Sequence, residues 1–264
     1  MDIASSFENR SFSLGRQAKL KLLFLRLVKA LFPALAFGIL TAVIVGHSSS
    51  STSISYMLVN VYGTAVENLE DVGLLFALFF FAPPLLQLVM LGDIIPREAK
   101  EDVYALTRSK GRVGWYVKKL VKVLLLSILM NILMLLPVCV NLYLNGGQAD
   151  EMAVKAISEL MATWGLCMCA FVVFSNVIGL FIKPLYLLFI TMFTYALGLM
   201  LMMTHHPAAS FFPTVQGMLY AHNSIFGSLE EGFFTPAFSA GYLTVMIAAL
   251  GLLDIIKIRR ADVL

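Results

Sequence analysis

Residues 93–122 gather twelve charged side chains, about a third of the thirty-five acidic and basic residues in a 264-residue chain, between two long runs of hydrocarbon. Pro96 suits the first turn of a helix and Gly111 its end. Between them, REAKEDVYALTRSK is expected to make about three turns. Val103 and Leu106, three apart, share a face, with Tyr104 beside them. Arg97, Glu98, Lys100, Glu101 and Asp102 cover most of the remaining surface, and Arg108 follows. A short helix with a small apolar ridge and charged flanks is suited to docking in a groove on another protein. Charges of mixed sign, pinned beside a membrane, do not suit nucleic acid. The plainer alternative is a solvated basic loop that only fixes topology. After Gly114, WYVKKLVK is read as a membrane-entry anchor, with Trp115 and Tyr116 at the interface beside Lys118, Lys119 and Lys122.

Other reactive side chains are few. His205, His206 and His222 share one loop, but adjacent histidines rarely aim at one ion, and no carboxylate or cysteine stands at ligand spacing. Cys167 and Cys169, two apart on a helix, point to nearly opposite faces. With Cys139 they read as small buried hydrophobes. No H-E-x-x-H, G-x-S-x-G or Walker loop occurs. The reading is therefore no metal, no cofactor and no enzymatic site of its own.

The elements that must position residues 93–122 are membrane helices. The chain is 59% hydrophobic and 13% charged, against about 25% charged in soluble domains. A span needs roughly 20 mostly apolar residues, and six candidates stand at about 24–46, 72–92, 120–144, 157–182, 184–203 and 238–257. They leave no room for a separate soluble domain. The expected fold is all-α: one polytopic transmembrane domain over 1–264, with residues 1–23 cytoplasmic or interfacial and a charged loop at 93–119. Eighteen of the 19 Lys and Arg residues fall on one side and only Lys155 on the other, so both termini and the loop are expected to be cytoplasmic. The basic and bulky residues of 10–29 suit an amphipathic helix in the headgroup layer, reaching lipid phosphates. Pro83 and Pro84 should bend or break the second span, either as a hinge or as a static kink held by packing, with Gln87 placed to satisfy a freed carbonyl. Asn131, Asn141, Ser175, Asn176 and Gly179 suit close helix packing. Lys183-Pro184 makes spans four and five a tight hairpin. Residues 47–71, 145–156 and 204–237 form the opposite loops. The last of these, aromatic and without Lys or Arg, fits a re-entrant pair of helices. No Asp, Glu or His need sit near mid-bilayer, since Glu159 and Asp254 lie near span ends. That weighs against an ion-coupled transporter or an intramembrane protease.

This arrangement resembles the permease subunits of type-2 ABC exporters: an amphipathic N-terminal helix, six spans, a charged loop after span two, a very short link after span four and a re-entrant region before span six. The GRVGWYVKK entry is similar to permeases of peptide-antibiotic export or immunity systems. The resemblance implies a Glu-led coupling helix, with Glu98 as that Glu and Arg108, Arg112, Tyr116 and Lys119 in the segment entering span three. The Gly-Thr pair often found after such a Glu is absent here. It further implies ATP-binding cassette subunits as partners gripping the helix around Glu98–Ser109, and a homodimer or a heterodimer with a second permease in the cell membrane. The cargo would be an amphipathic peptide, drug or lipid-like molecule. The competing expectation is a non-transporting scaffold or immunity protein that acts by binding a partner. The orientation is testable. A cysteine placed at Ser109, with Cys139, Cys167 and Cys169 replaced, should react with an impermeant maleimide only after cells are opened; labelling in intact cells would reverse the topology.

Overall fold

The computed structural model of the chain describes Val28, residues 31–45, Leu58, Val61, Tyr62, and residues 74–102, 111–144, 151–182, 184–204, 207–218 and 234–260. Every regular element among them is helical. In chain order these are α1 (Leu31–Val45), α2 (Leu74–Leu91), α3 (Ile94–Glu101), α4 (Arg112–Leu144), α5 (Glu151–Leu160), α6 (Leu166–Gly179), α7 (Pro184–Met203), α8 (Pro213–Gly217) and α9 (Pro236–Arg260). A π-turn, Met161–Gly165, joins α5 to α6, and a 3-10 turn, Pro207–Phe211, precedes α8. Five stretches are long and apolar enough to cross a membrane: Ala77–Glu101, Arg112–Leu144, Val154–Gly179, Tyr186–Met203 and Pro236–Lys257. The described part of the expected first span, α1, has 15 residues. At 1.5 Å per residue that is about 22 Å, and most of the remainder of 24–46 lies outside the described residues.

α6 is the centre of the bundle. It is apolar on all sides, as a helix with no solvent-facing stripe must be, and α2, α4, α7, α8 and α9 all pack on it. α1 lies on α4 through Ala34, Gly38 and Ala42, small buried residues spaced four apart. A Cβ on Gly38 would stand 2.6 Å from the Leu133 carbonyl oxygen, so the two backbones are in direct contact there. Asn141 Nδ2 closes the crossing with a 2.5 Å bond to the Ala42 carbonyl.

Several expectations are corrected. α4 begins at Arg112, not near 120. Its 33 residues span about 50 Å, so its first turns stand beyond a hydrocarbon core of about 30 Å. α2 runs unbroken through Pro83 and Pro84, both buried; dense packing holds the helical path where two donors are missing. Gln87 does not serve a freed carbonyl. Its amide nitrogen bonds Asn131 Oδ1, and its oxygen accepts from Ser127 Oγ at 2.6 Å. Span four is not a plain α-helix but carries the π-turn, whose Gly165 carbonyl accepts from Asn131 Nδ2 at 3.2 Å. Within residues 47–71, Leu58, Val61 and Tyr62 are helical and buried. Their i, i+3, i+4 spacing makes one apolar face. Tyr62 donates to the Met134 carbonyl at 2.9 Å and packs its ring 5.1 Å from that of Trp164.

The chain after α7 also turns back into the bundle. All five residues of α8 are buried. Thr214 Oγ1 donates to the Tyr195 carbonyl at 3.0 Å, a point eight residues, or about 12 Å, inside the end of α7. Gln216 donates to the Ser210 carbonyl and accepts from Ser239 Oγ of α9. The close backbone contacts set a test. Gly38→Ala should destabilise the detergent-solubilised protein by about 1–3 kcal/mol through overpacking. Gly241→Ala, where an added Cβ meets nothing within 4 Å, should be neutral or stabilising. Equal denaturation midpoints for the two variants would show that α1 does not meet α4 at Gly38.

Candidate functional site

The charged loop folds into a short helix clamped on two sides. α2 ends where Gly92 and Asp93 turn the chain, and α3 starts with Ile94, Ile95 and Pro96, all buried against the bundle. Ser175 and Asn176 of α6 hold this turn. Asn176 Oδ1 accepts from the Ile95 backbone N–H at 2.9 Å, while its Nδ2 donates to the Leu91 and Val172 carbonyls, each at 2.8 Å. Ser175 Oγ donates to the Gly92 carbonyl at 3.0 Å. The fit is tight on both sides: a Cβ on Gly92 would meet Ser175 Oγ at 2.7 Å, and one on Gly179 would meet Pro96 Cγ at 2.7 Å. Asn176 thus replaces, at full burial, the backbone partners that the turn gives up.

The other side of α3 faces the protruding base of α4. Glu98 forms ion pairs with Lys119 at 2.5 Å and Lys122 at 2.8 Å. Asp102, which ends α3, accepts from Trp115 Nε1 at 2.9 Å and pairs with Lys119 at 3.4 Å. The indole hydrogen bond and the Lys119 charge hold the Asp102 carboxyl below its usual range, so this contact is complete at neutral pH and is lost only as pH falls through that depressed value. Lys119 also lies 5.2 Å over the Trp115 ring. α3 ends at Glu101, and Asp102, just beyond it, turns to α4. Val103, Tyr104, Leu106 and Arg108 lie outside the described residues. Of the other residues chosen from sequence, Glu98 and Asp102 turn inward to α4, whereas Arg97 and Glu101 are exposed together with Lys100. Arg97 is 3.8 Å from Asp93. Pro83 and Pro84 lie inside α2, apart from this cluster.

The clamp continues into α9. Tyr116, expected at the interface, is fully buried, and its hydroxyl donates to Asp254 Oδ2 at 2.7 Å. Asp254 is itself 1% exposed, and its Oδ1 has no hydrogen-bond partner among the described residues. Three residues on, Lys257 Nζ donates to the Leu180 carbonyl at 2.9 Å and lies over the Phe181 ring, tying α9 to the link between α6 and α7. Sequence reasoning missed the Tyr116–Asp254 pair. The available signal was an acidic residue surrounded by apolar ones in GLLDIIK, and a tyrosine at the start of α4 that could reach it. Among the described residues no group of His, Cys, Asp and Glu could hold a metal.

A family model described as a protein of unknown function (DUF2705) matches residues 35–264, so the chain belongs to that family. No curated protein and no solved structure matches it.

The magnitudes separate the two sides of the clamp. Asn176→Leu strands the Ile95 N–H and the Leu91 carbonyl, each costing about 1–3 kcal/mol when buried and unpaired. Lys122→Met removes one half-exposed ion-pair partner and should cost under about 1 kcal/mol. Denaturant unfolding in detergent should rank the two variants in that order; the reverse order would make the ion pairs the main fastening.

Proposed function

We propose that this DUF2705 member is the membrane-spanning subunit of an ATP-driven ABC-type exporter, with α3 as the helix on which separate ATP-binding subunits act. The supporting observation is the double clamp. Asn176 and Ser175 bind the start of α3 to α6, Glu98 and Asp102 bind its end to α4, and α2 runs directly into it. A helix so held cannot be pushed without moving three spans. Its exposed face, Arg97, Lys100 and Glu101, presents charges of both signs for a partner groove. Glu98 is then an internal brace that passes force to α4, not a contact for the ATPase.

In this reading α1 belongs to a sixth span. Both termini and α3 lie on the cytoplasmic side of the cell membrane, where the basic residues are concentrated. The segment 207–218 is re-entrant from the opposite side, and its inward reach to Tyr195 supports that placement. Two permease copies, identical or homologous, form the pathway. Pro83 and Pro84, where α2 lacks two backbone bonds, are the position at which it yields. The cargo is an amphipathic peptide, drug or lipid-like molecule.

The test is affinity purification of the tagged protein from its native membrane in mild detergent, followed by mass spectrometry and an ATPase assay. The wild type should bring an ATP-binding subunit that has no spans of its own. The triple variant Arg97→Glu, Lys100→Glu, Glu101→Lys should lose it while eluting as the same folded membrane protein. Recovery of the ATPase with the triple variant would exclude α3 as the docking site. A wild type that brings no ATP-binding subunit would overturn the exporter reading in favour of a scaffold or immunity role.

A further inference from the structure

A cavity of about 130 Å³ lies between α6, α7, α8 and α9, walled by Phe171, Phe174, Phe211 and Phe212 with Thr194 and Met246. Its depth is set by two of these residues. Thr194 is the eleventh of the twenty residues of α7, and Met246 the eleventh of the twenty-five of α9. It therefore sits near the middle of helices long enough to cross a membrane.

Nothing in its wall can hold water. The Thr194 hydroxyl, the one side-chain polar group among the lining residues, already donates to the Ile190 carbonyl at 2.8 Å. A buried water requires two to four polar partners, and an apolar cavity of about 150 Å³ stays dry and takes up benzene. This cavity suits an apolar group of that bulk: a few methylenes, not a headgroup or a peptide. It is also open to the outside of the bundle. Phe211 on its rim is 73% exposed, and α7 and α9 on either side turn Phe189, Phe193, Phe238 and Val245 outward. Both helices pack on α6 and α8, so the cavity occupies the notch between them. At that depth what lies against such a surface is the tail region of the bilayer.

We propose that this cavity is a binding site for the end of a membrane phospholipid acyl chain, entering between α7 and α9 and resting on Phe211 and Phe212 where the chain turns into α8. The inference requires only that the bundle be embedded in a bilayer, and it stands whether or not the protein is an exporter.

The test uses the full-length protein in phosphatidylcholine–phosphatidylglycerol vesicles doped with a phosphatidylcholine that carries a diazirine near the end of one acyl chain. After irradiation, adducts are mapped by mass spectrometry. Phe211, Phe212 and Met246 should be labelled about tenfold more than Leu125 and Leu136, which face outward on α4; such a ratio corresponds to ~1.4 kcal/mol of preference. Thr194→Trp and, separately, Met246→Phe fill the cavity. Each should bring labelling at Phe211 and Phe212 down to the level of α4 while leaving α4 labelling unchanged, which also reports correct insertion. Equal labelling of cavity and α4 in the wild type would reduce the site to ordinary boundary lipid. Cavity labelling that survives both substitutions would place the chain elsewhere. Either result overturns the proposal.

Discussion

Hydrocarbon offers a peptide group no water, so every point where a buried helix stops, turns or changes pitch must find its hydrogen bonds inside the protein. Three such points stand out among the described residues, and each has a polar side chain with almost no exposed surface. Asn176 serves the turn from α2 into α3. Asn131 serves the π-turn at the Gly165 carbonyl and is itself oriented by Gln87. Gln216 serves the Ser210 carbonyl of the turn before α8 and is itself held by Ser239, while Thr214 ties α8 to the Tyr195 carbonyl of α7. The buried polar residues are therefore not scattered packing choices. They mark where the backbone departs from a simple span, and the irregular segments could not sit at depth without them.

The same requirement explains the unequal roles of the contacts around α3. An amide that completes buried backbone bonds cannot be exchanged for water, so Asn176 fixes the register of α3 on α6. The carboxylate–lysine pairs with α4 lie where the helix has left the hydrocarbon, and Lys122 is nearly half exposed. Such pairs are individually weak and are screened by salt. They orient α3 without welding it. Asn176 therefore fixes where α3 starts on α6, and the Glu98 and Asp102 pairs add its connection to α4.

How much of this was legible depended on whether a feature was local. The all-helical class and the range of α7, 184–203, follow from runs of apolar residues, a property of neighbours in sequence. α3 was visible as a charged island opening near a proline. That Glu98 and Asp102 would turn to Trp115, Lys119 and Lys122 of α4 was not, because those partners lie thirteen or more residues further along the chain. Tyr116 read as an interface residue because interfacial and buried tyrosines look alike until the partner is known, and Asp254 lies 138 positions away. Leu58, Val61 and Tyr62 carried a helical face in plain view, yet the polar residues around them suggested a loop. Pro83 and Pro84 signalled a break that packing overrode. Local chemistry showed which residues were unusual; it did not show what they would meet.

The irregular points are also joined to one another. The 58–62 segment reaches the π-turn through Tyr62 and Trp164, and α8 reaches it where Gly217 meets the side chain of Cys167 and the Thr163 carbonyl. α9 packs on the π-turn as well as on α6, bonded to Tyr116 through Asp254 at the charged end and to Gln216 through Ser239 at the other. One helix, α9, thus joins the base of α4 at Asp254 to the buried α8 at Ser239. α3, α4, α9 and α8 are thus linked in series by Glu98–Lys119, Tyr116–Asp254 and Ser239–Gln216, and α8 forms one wall of the apolar cavity. The two ends of the bundle are connected by hydrogen bonds that first had to exist for a quite different reason, namely that nothing else at that depth could satisfy the backbone.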